Sequence, residues 1–316
     1  MLGITGATGK LGVKVASRLE KSGERQRLIV RDANRAPDLK RAEIAQVSSY
    51  GDKQAMKKAL SGVKTLFLVS AHDRMGVTQN AAKKGLPPPP YDRLQEQFTA
   101  VDAAVEVGVR HIIYLSFLNA AENATFVLAR EHFRTEQYIR GTGVSFTFLR
   151  PCLYMENVPL RVSKEGIIKA PAGNGRVAWV TRDNIADVAV AVLTGTGHEG
   201  HTYDVTGPEA LTMAETAEKI AAAAGRAVYY VKQTPEEARA LHTASGMEQF
   251  EAERRSASGQ GLEDDEIEIW VTHYLQIAAG ALDVVSDTVQ KLTDHRAQSL
   301  AEYLSLHPES YRHILR

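Results

Sequence analysis

The first dozen residues constrain this chain more than any other stretch. Leu2, Gly3, Ile4 and Thr5 form a short run with the character of a buried strand, and Gly6, Gly9 and Gly12 follow at every third position. Leu11, Val15 and Leu19 then recur at helical spacing, and Gly23 is placed to end that helix. A strand that turns through glycines directly into a helix suits a diphosphate. The first glycine permits the tight turn, the second lets backbone approach the phosphates, and the third lets the helix pack closely on the strand. The helix start adds amide donors and positive potential. The spacing is G-x-x-G-x-x-G rather than G-x-G-x-x-G, and an ordinary tight turn is the competing reading. The position straight after a strand favours dinucleotide binding.

Strand and helix signals alternate through the first half. Residues 27–30, 44–47, 65–69, 109–115 and 144–149 read as strands, the last of them stopped by Pro151. Residues 55–60, the apolar stripe Leu94, Phe98, Val101 and Val105, and residues 131–140 read as helices. This alternation predicts an α/β fold, a Rossmann-type doubly wound parallel sheet with helices on both faces.

The second half is mixed. Residues 177–180, 202–205 and 228–231 read as strands, and Asp183 as the cap of a helix carrying Ile185, Val188 and Val192. Thr212 with Glu215, and Ser299 with Glu302, have capping-box spacing; Gly225 ends the first of those two helices. Thr234-Pro235 opens another helix, and residues 266–279 read as one more. The expected organisation is an NAD(P)-binding Rossmann domain from residues 1–150 plus about 176–206, and a smaller mixed α/β substrate-side domain from 151–175 plus 207–316. The Pro-rich run at 86–90 reads as a rigid surface loop, with a ligand for a proline-binding partner as the alternative.

Charge and composition exclude several function classes. The 38 basic and 38 acidic residues balance, which argues against a broad nucleic-acid footprint. Cys152 is the sole cysteine, so no internal disulfide forms, as suits a reducing compartment. No apolar run approaches the roughly 18 residues needed to span a bilayer, and no secretory pattern is visible at the N-terminus. The expectation is a cytoplasmic protein with a small-molecule partner, neither nucleic acid nor membrane, as a monomer or a homodimer. No His/Cys cluster has metal spacing, and no Gly-x-Ser-x-Gly elbow occurs.

The second strand bears on which dinucleotide is held. An acidic residue near its end usually takes the ribose hydroxyls of NAD, whereas an arginine accommodates the 2′-phosphate of NADP. Here the segment reads LIVRD, with Arg31 first, Asp32 next and Arg35 close behind. A guanidinium fork suits phosphate oxygens. NADP(H) is therefore the expected cofactor. Asp32 leaves NAD(H) open, and a solvated strand-end charge is the alternative for Arg31.

TGATGKLG, LIVRD, GVRHIIYLS and GVSFTFLRP, in that order and together with HFRTE at residues 132–136, resemble the atypical short-chain dehydrogenases of the NmrA-like group. Within it the resemblance is to the branch of type 2 NAD(P)H:quinone oxidoreductases and triphenylmethane reductases, and it spans roughly residues 1–230. It implies that Gly6, Thr8, Gly9, Lys10 and Leu11 wrap the pyrophosphate, that Arg31 meets the adenosine phosphate and that Asp52 lies by the adenine. It also implies that Val69, Ser70 and Ala71 line the ribose, that Leu115, Ser116 and Phe117 lie near the nicotinamide, and that residues from Pro151 to Tyr154 cover its other side.

One departure from the wider superfamily narrows the chemistry. Short-chain dehydrogenases use a Tyr-x-x-x-Lys pair for acid–base work, and no tyrosine here has lysine four residues on; Tyr138 is followed by Thr142. Interconverting a ketone and an alcohol requires a proton to move with the hydride. A quinone or cationic dye is already electrophilic and needs a positioned acid less. His132 is a candidate proton donor, with a structural bond to Glu136 one turn on as the alternative. Ser116 can polarise a carbonyl or bond backbone at a strand end. Phe117, Tyr154, Asn157 and Trp179 are candidates for a substrate wall, or for core. Cys152 reads as a buried inert thiol. The reading is an NADPH-dependent oxidoreductase for a quinone-like acceptor, against a non-catalytic NADP(H) sensor and, third, an epimerase.

Overall fold

The structure is a computed structural model, and it describes residues 1–70, 92–245 and 264–315. The chain divides into two compact units. The first comprises Met1–Phe117, Glu131–Arg150 and Ile185–Asp204; the second comprises Leu118–Arg130, Pro151–Asn184 and Val205–Arg316. Residues 118–130 thus group with the second unit. The Pro-rich run at 86–90 lies outside the described residues.

Six strands of the first unit form in chain order: β1 (Leu2–Thr5), β2 (Gln26–Val30), β3 (Ala42–Gln46), β4 (Thr65–Val69), β5 (His111–Leu115) and β6 (Ser145–Pro151). With strand Thr202–Val205 they build a seven-stranded sheet in the order β3-β2-β1-β4-β5-β6 and then Thr202–Val205. The paired registers from β3 to β6 are parallel. The doubly wound parallel sheet read from strand–helix alternation is therefore the observed fold.

The chain moves outward from β1 to β3 and then returns to place β4 on the other side of β1. The connections on either side of this reversal leave in opposite directions, opening a crevice at the carboxyl ends of β1 and β4. Helix α1 (Lys10–Lys21) follows β1 and buries Leu11, Gly12, Val15, Ala16 and Leu19. Gly23 stops it at φ 83°, a conformation that glycine adopts freely. Helix α2 (Lys53–Leu60) and helix Arg93–Glu106 pack Met56, Leu60, Val101 and Ala104 against Leu66, Leu68, Ile112 and Phe148. Truncating such fully buried side chains to alanine costs about 2–5 kcal/mol each. That scale explains why strand order is firmly specified here.

Pro151 does not stop β6 short. Its carbonyl still accepts from the Leu118 amide at 3.0 Å, because proline lacks only the donor.

The second unit holds two small sheets. Arg176–Val177 pairs antiparallel with Leu211–Thr212, and Ile167–Ala170 pairs parallel with Tyr229–Lys232. The expected strand at 177–180 is thus only two residues long, and Val180 contributes an isolated bridge to Tyr154. Both capping boxes form, Thr212 with Glu215 and Ser299 with Glu302, and Gly225 ends helix Met213–Ala224 at φ 62°. Asp183 is not the cap of helix Arg182–Thr194. Thr181 takes that place, its hydroxyl accepting from the Asn184 amide at 3.1 Å, and Asp183 falls in the first turn. A hydroxyl one residue earlier reaches the free amide, whereas Asp183 is already inside the helix. Among the described residues no helix is long and apolar enough to cross a membrane.

Candidate active site

The crevice of the first unit is built around the glycine turn. Thr5, at the end of β1, accepts from the Val69 amide at 2.8 Å and donates to the Val69 carbonyl at 3.1 Å, which ties together the two strand ends that flank the crevice. Gly6 then turns at φ 62°, and its amide donates to the Tyr50 hydroxyl at 2.9 Å. A side chain on Gly12 would place its Cβ 2.2 Å from the Gly6 carbonyl oxygen, so only glycine lets α1 start this close to the turn. Gly9 is the N-cap of α1 and makes no side-chain cap bond, and the first turn holds no acid. By contrast Asp52 caps α2, and Asp92 caps Arg93–Glu106. The amides and dipole of α1 are therefore left to an outside anion.

Thr8 and Lys10 lie on this turn, Thr8 partly exposed and Lys10 exposed, while Leu11 is buried. Arg31 follows β2 directly, within electrostatic reach of Glu96, whose carboxyl burial raises and Ser49 and Arg31 pull down. Asp32 caps the tight turn after it, accepting from the Asn34 amide at 3.0 Å. Asp52 is likewise engaged, by the Ala55 amide at 3.0 Å and the Ser48 hydroxyl at 3.1 Å.

At the ends of β4 and β5 two polar networks meet the expected positions. Ser70 accepts from Arg93 Nη2 at 3.0 Å. Arg93 is 7% exposed and also bonds Glu131 and His132 Nε2. A guanidinium only donates, so Nε2 of His132 must accept and the imidazole proton sits on Nδ1. That proton goes to the Tyr114 hydroxyl at 2.7 Å, which itself donates to Gln97 at 2.6 Å. Burial raises the Tyr114 hydroxyl far above the ordinary phenol range, so it stays protonated. The Glu136 partner expected for His132 is elsewhere: its carboxylate takes the Ser116 hydroxyl at 2.5 Å and a two-pronged contact from Arg150 at 2.8 and 2.5 Å. Glu136 is fully buried. Leu115 is buried, and Phe117 stacks on His132 with centroids 6.3 Å apart. Val69 and Ser70 are partly exposed; Ala71 lies outside the described residues.

In the second unit Pro151 and Cys152 are buried, and Tyr154 is partly exposed beneath the Arg182 guanidinium, 4.2 Å from the ring centroid. Arg182 also bonds Glu156 at 3.1 Å and the Asn157 side-chain oxygen at 3.2 Å. Trp179 is 1% exposed, and its indole N–H donates to Thr216 at 3.1 Å. It packs as core and offers no face to a substrate.

Sequence reasoning missed Tyr50, Arg93, Gln97, Tyr114, Glu131 and Arg150. A signal existed for two of them. Arg93 and Gln97 are polar residues on the buried stripe of their helix, four residues apart, and a polar residue on a buried stripe needs a partner.

The NmrA-like family profile matches residues 1–268. The chain belongs to that family. It is the family to which the sequence segments pointed. This NmrA-like chain is 30% identical to the NAD(P)H azoreductase of Xenophilus azovorans, across 98% of this chain and 99% of that protein. The NADPH-dependent quinone oxidoreductase of Escherichia coli, solved in complex with NADPH, superposes with a TM-score of 0.80 at 28% identity, covering 97% and 99% of the two chains. The triphenylmethane reductase of Citrobacter sp., complexed with NADP(H), gives 0.76 at 28% identity over 99% of each.

Proposed function

We propose that this chain is an NADPH-dependent reductase that delivers hydride to a quinone-like or other conjugated, already electrophilic acceptor, with no positioned proton donor. It is an NAD(P)H-dependent oxidoreductase of its family, matched end to end by reductases that use this cofactor. The observation that supports the cofactor is the glycine turn, closed so tightly that a Cβ on Gly12 would meet the Gly6 backbone, and leading into a helix start that no side chain caps. A bound nicotinamide supplies the hydride. The chain's own part begins with the α1 amides on the diphosphate and Arg31 on the adenosine 2′-phosphate. Asp32 is occupied as a cap, which supports NADP(H) over NAD(H).

The finer reading of the acceptor rests on where protons are held. The Ser116 hydroxyl proton is committed to Glu136, and the His132 proton to Tyr114. Neither is idle to meet an alkoxide. An acceptor that spreads or neutralises the added charge does not require one, and water can complete its protonation. Phe117, Tyr154 and Asn157 remain the proposed contacts for such an acceptor.

The test is a panel of quinones, azo dyes, triphenylmethane dyes and simple ketones, followed by loss of the reduced-nicotinamide absorbance. Turnover of the conjugated acceptors but not the ketones is the expected result. NADPH binding without turnover of any of them would replace this reading with that of an NADP(H) sensor. For the cofactor, Arg31→Ala is expected to weaken NADPH by about tenfold or more, because charge-assisted hydrogen bonds are worth about 1.5–3 kcal/mol. NADH affinity should shift by much less. Equal losses for both, measured by calorimetry, would remove Arg31 from the phosphate.

A further inference from the structure

Among the described residues, three buried or partly buried arginines face carboxylates. Arg18 meets Asp187 at 2.6 Å, Arg150 meets Glu136 at 2.5 Å and Arg182 meets Glu156 at 3.1 Å. Arg161 differs from these three. It ends the tight helical turn Pro159–Arg161 in the second unit, is partly buried, and has only neutral partners among the described residues. One terminal nitrogen donates to the Tyr274 hydroxyl and the other to His273 Nε2 at 3.0 Å, with the guanidinium 4.9 Å from the Tyr274 ring centroid. Its Nε is buried without any hydrogen-bond partner.

Among the described residues no neighbour supplies the missing negative charge. Burial, and then the Arg161 charge, hold the His273 imidazole well below its ordinary range, so it stays neutral and accepts. Phe126 meets His273 edge-on at 5.5 Å, and Trp270 meets Tyr274 at 4.8 Å. One turn beyond His273, Gln276 is 2% exposed, and its amide nitrogen is also unpartnered. Two of the five guanidinium N–H groups are used and three remain. An unopposed charge in such surroundings is strongly destabilising, and a cation–π contact offsets only part of that. The arrangement is completed by an anion, for which the planar fork is well shaped.

We propose that Arg161, supported by Tyr274 and His273, binds the carboxylate, sulfonate or phosphate group of a small aromatic anion. Calorimetry with naphthalene sulfonate, neutral naphthol and inorganic phosphate, on wild type, Arg161→Gln and Arg161→Lys, tests the site directly. Wild type is expected to bind the sulfonate at least tenfold more tightly than the naphthol. Arg161→Gln should lose that preference and Arg161→Lys should keep part of it, with thermal unfolding confirming that both variants fold. Equal sulfonate affinity in wild type and Arg161→Gln overturns the proposal. Arg161-dependent binding of phosphate, with no preference for the sulfonated aromatic, overturns its aromatic half.

Discussion

Alanine at position 12 is expected to weaken NADPH binding by about tenfold to a hundredfold and to lower the thermal midpoint, whereas alanine at position 9 is expected to do much less. The added Cβ at Gly12 would lie 2.2 Å from the Gly6 carbonyl oxygen and 2.9 Å from the Ala7 Cα. Both are backbone atoms, so no side chain can swing away, and α1 must lift off the turn. At Gly9 the nearest atom is the same oxygen at 3.2 Å, a contact that a shift of a few tenths of an ångström relieves. Overpacking of the first kind costs about 1–3 kcal/mol. Because the displaced element is the helix start that faces the diphosphate, the same strain falls on binding, where each 1.4 kcal/mol or so is tenfold in affinity. Calorimetry on Gly12→Ala, Gly9→Ala and wild type gives the ordering. Wild-type affinity in Gly12→Ala would mean that the turn does not hold the cofactor.

Residues of this kind were readable before any coordinates because their signal is local. The first strand, the turn, α1 and its stop at Gly23 lie within a couple of dozen residues, and each glycine answers a short-range steric demand. Strands at 65–69 and 202–205 and both capping boxes were legible for the same reason. What stayed hidden depends on partners distant in sequence. His132 has Glu136 one turn away, yet its ring bonds Tyr114 and Arg93, which are 18 and 39 residues distant. Helical spacing offers the nearer pair, but Glu136 faces Ser116 and Arg150 instead, and a buried carboxylate gains more from a guanidinium than from a neutral imidazole. Trp179 illustrates the converse. An aromatic residue suits a ligand wall or a core equally well in sequence, and the Thr216 hydroxyl waiting for its indole N–H decides for the core.

The largest effect on stability is expected at Arg150. Glu136 is fully buried, and its two oxygens are held by the Arg150 fork and the Ser116 hydroxyl. The Arg150→Met variant leaves that carboxylate with a single neutral donor, and breaking a buried pair from one side costs about 3–5 kcal/mol. The Glu136→Gln variant should cost less. The amide keeps the shape, and the side chain of Arg150 is 22% exposed and can recover some hydration. The double variant Glu136→Leu with Arg150→Met removes both charges at once, and replacing a buried pair by apolar groups is often close to neutral. Urea unfolding of wild type, Arg150→Met, Glu136→Leu and the double variant should therefore show strong coupling, with the double variant at least about 2 kcal/mol more stable than Arg150→Met alone. Ser116 then loses its acceptor in the double variant, so recovery should stop short of wild type, because an unpaired buried hydroxyl costs about 1–3 kcal/mol. Additive losses would show that the two charges do not sense one another. The network at the end of β5 would then not be the closed unit that keeps the Ser116 proton out of the chemistry.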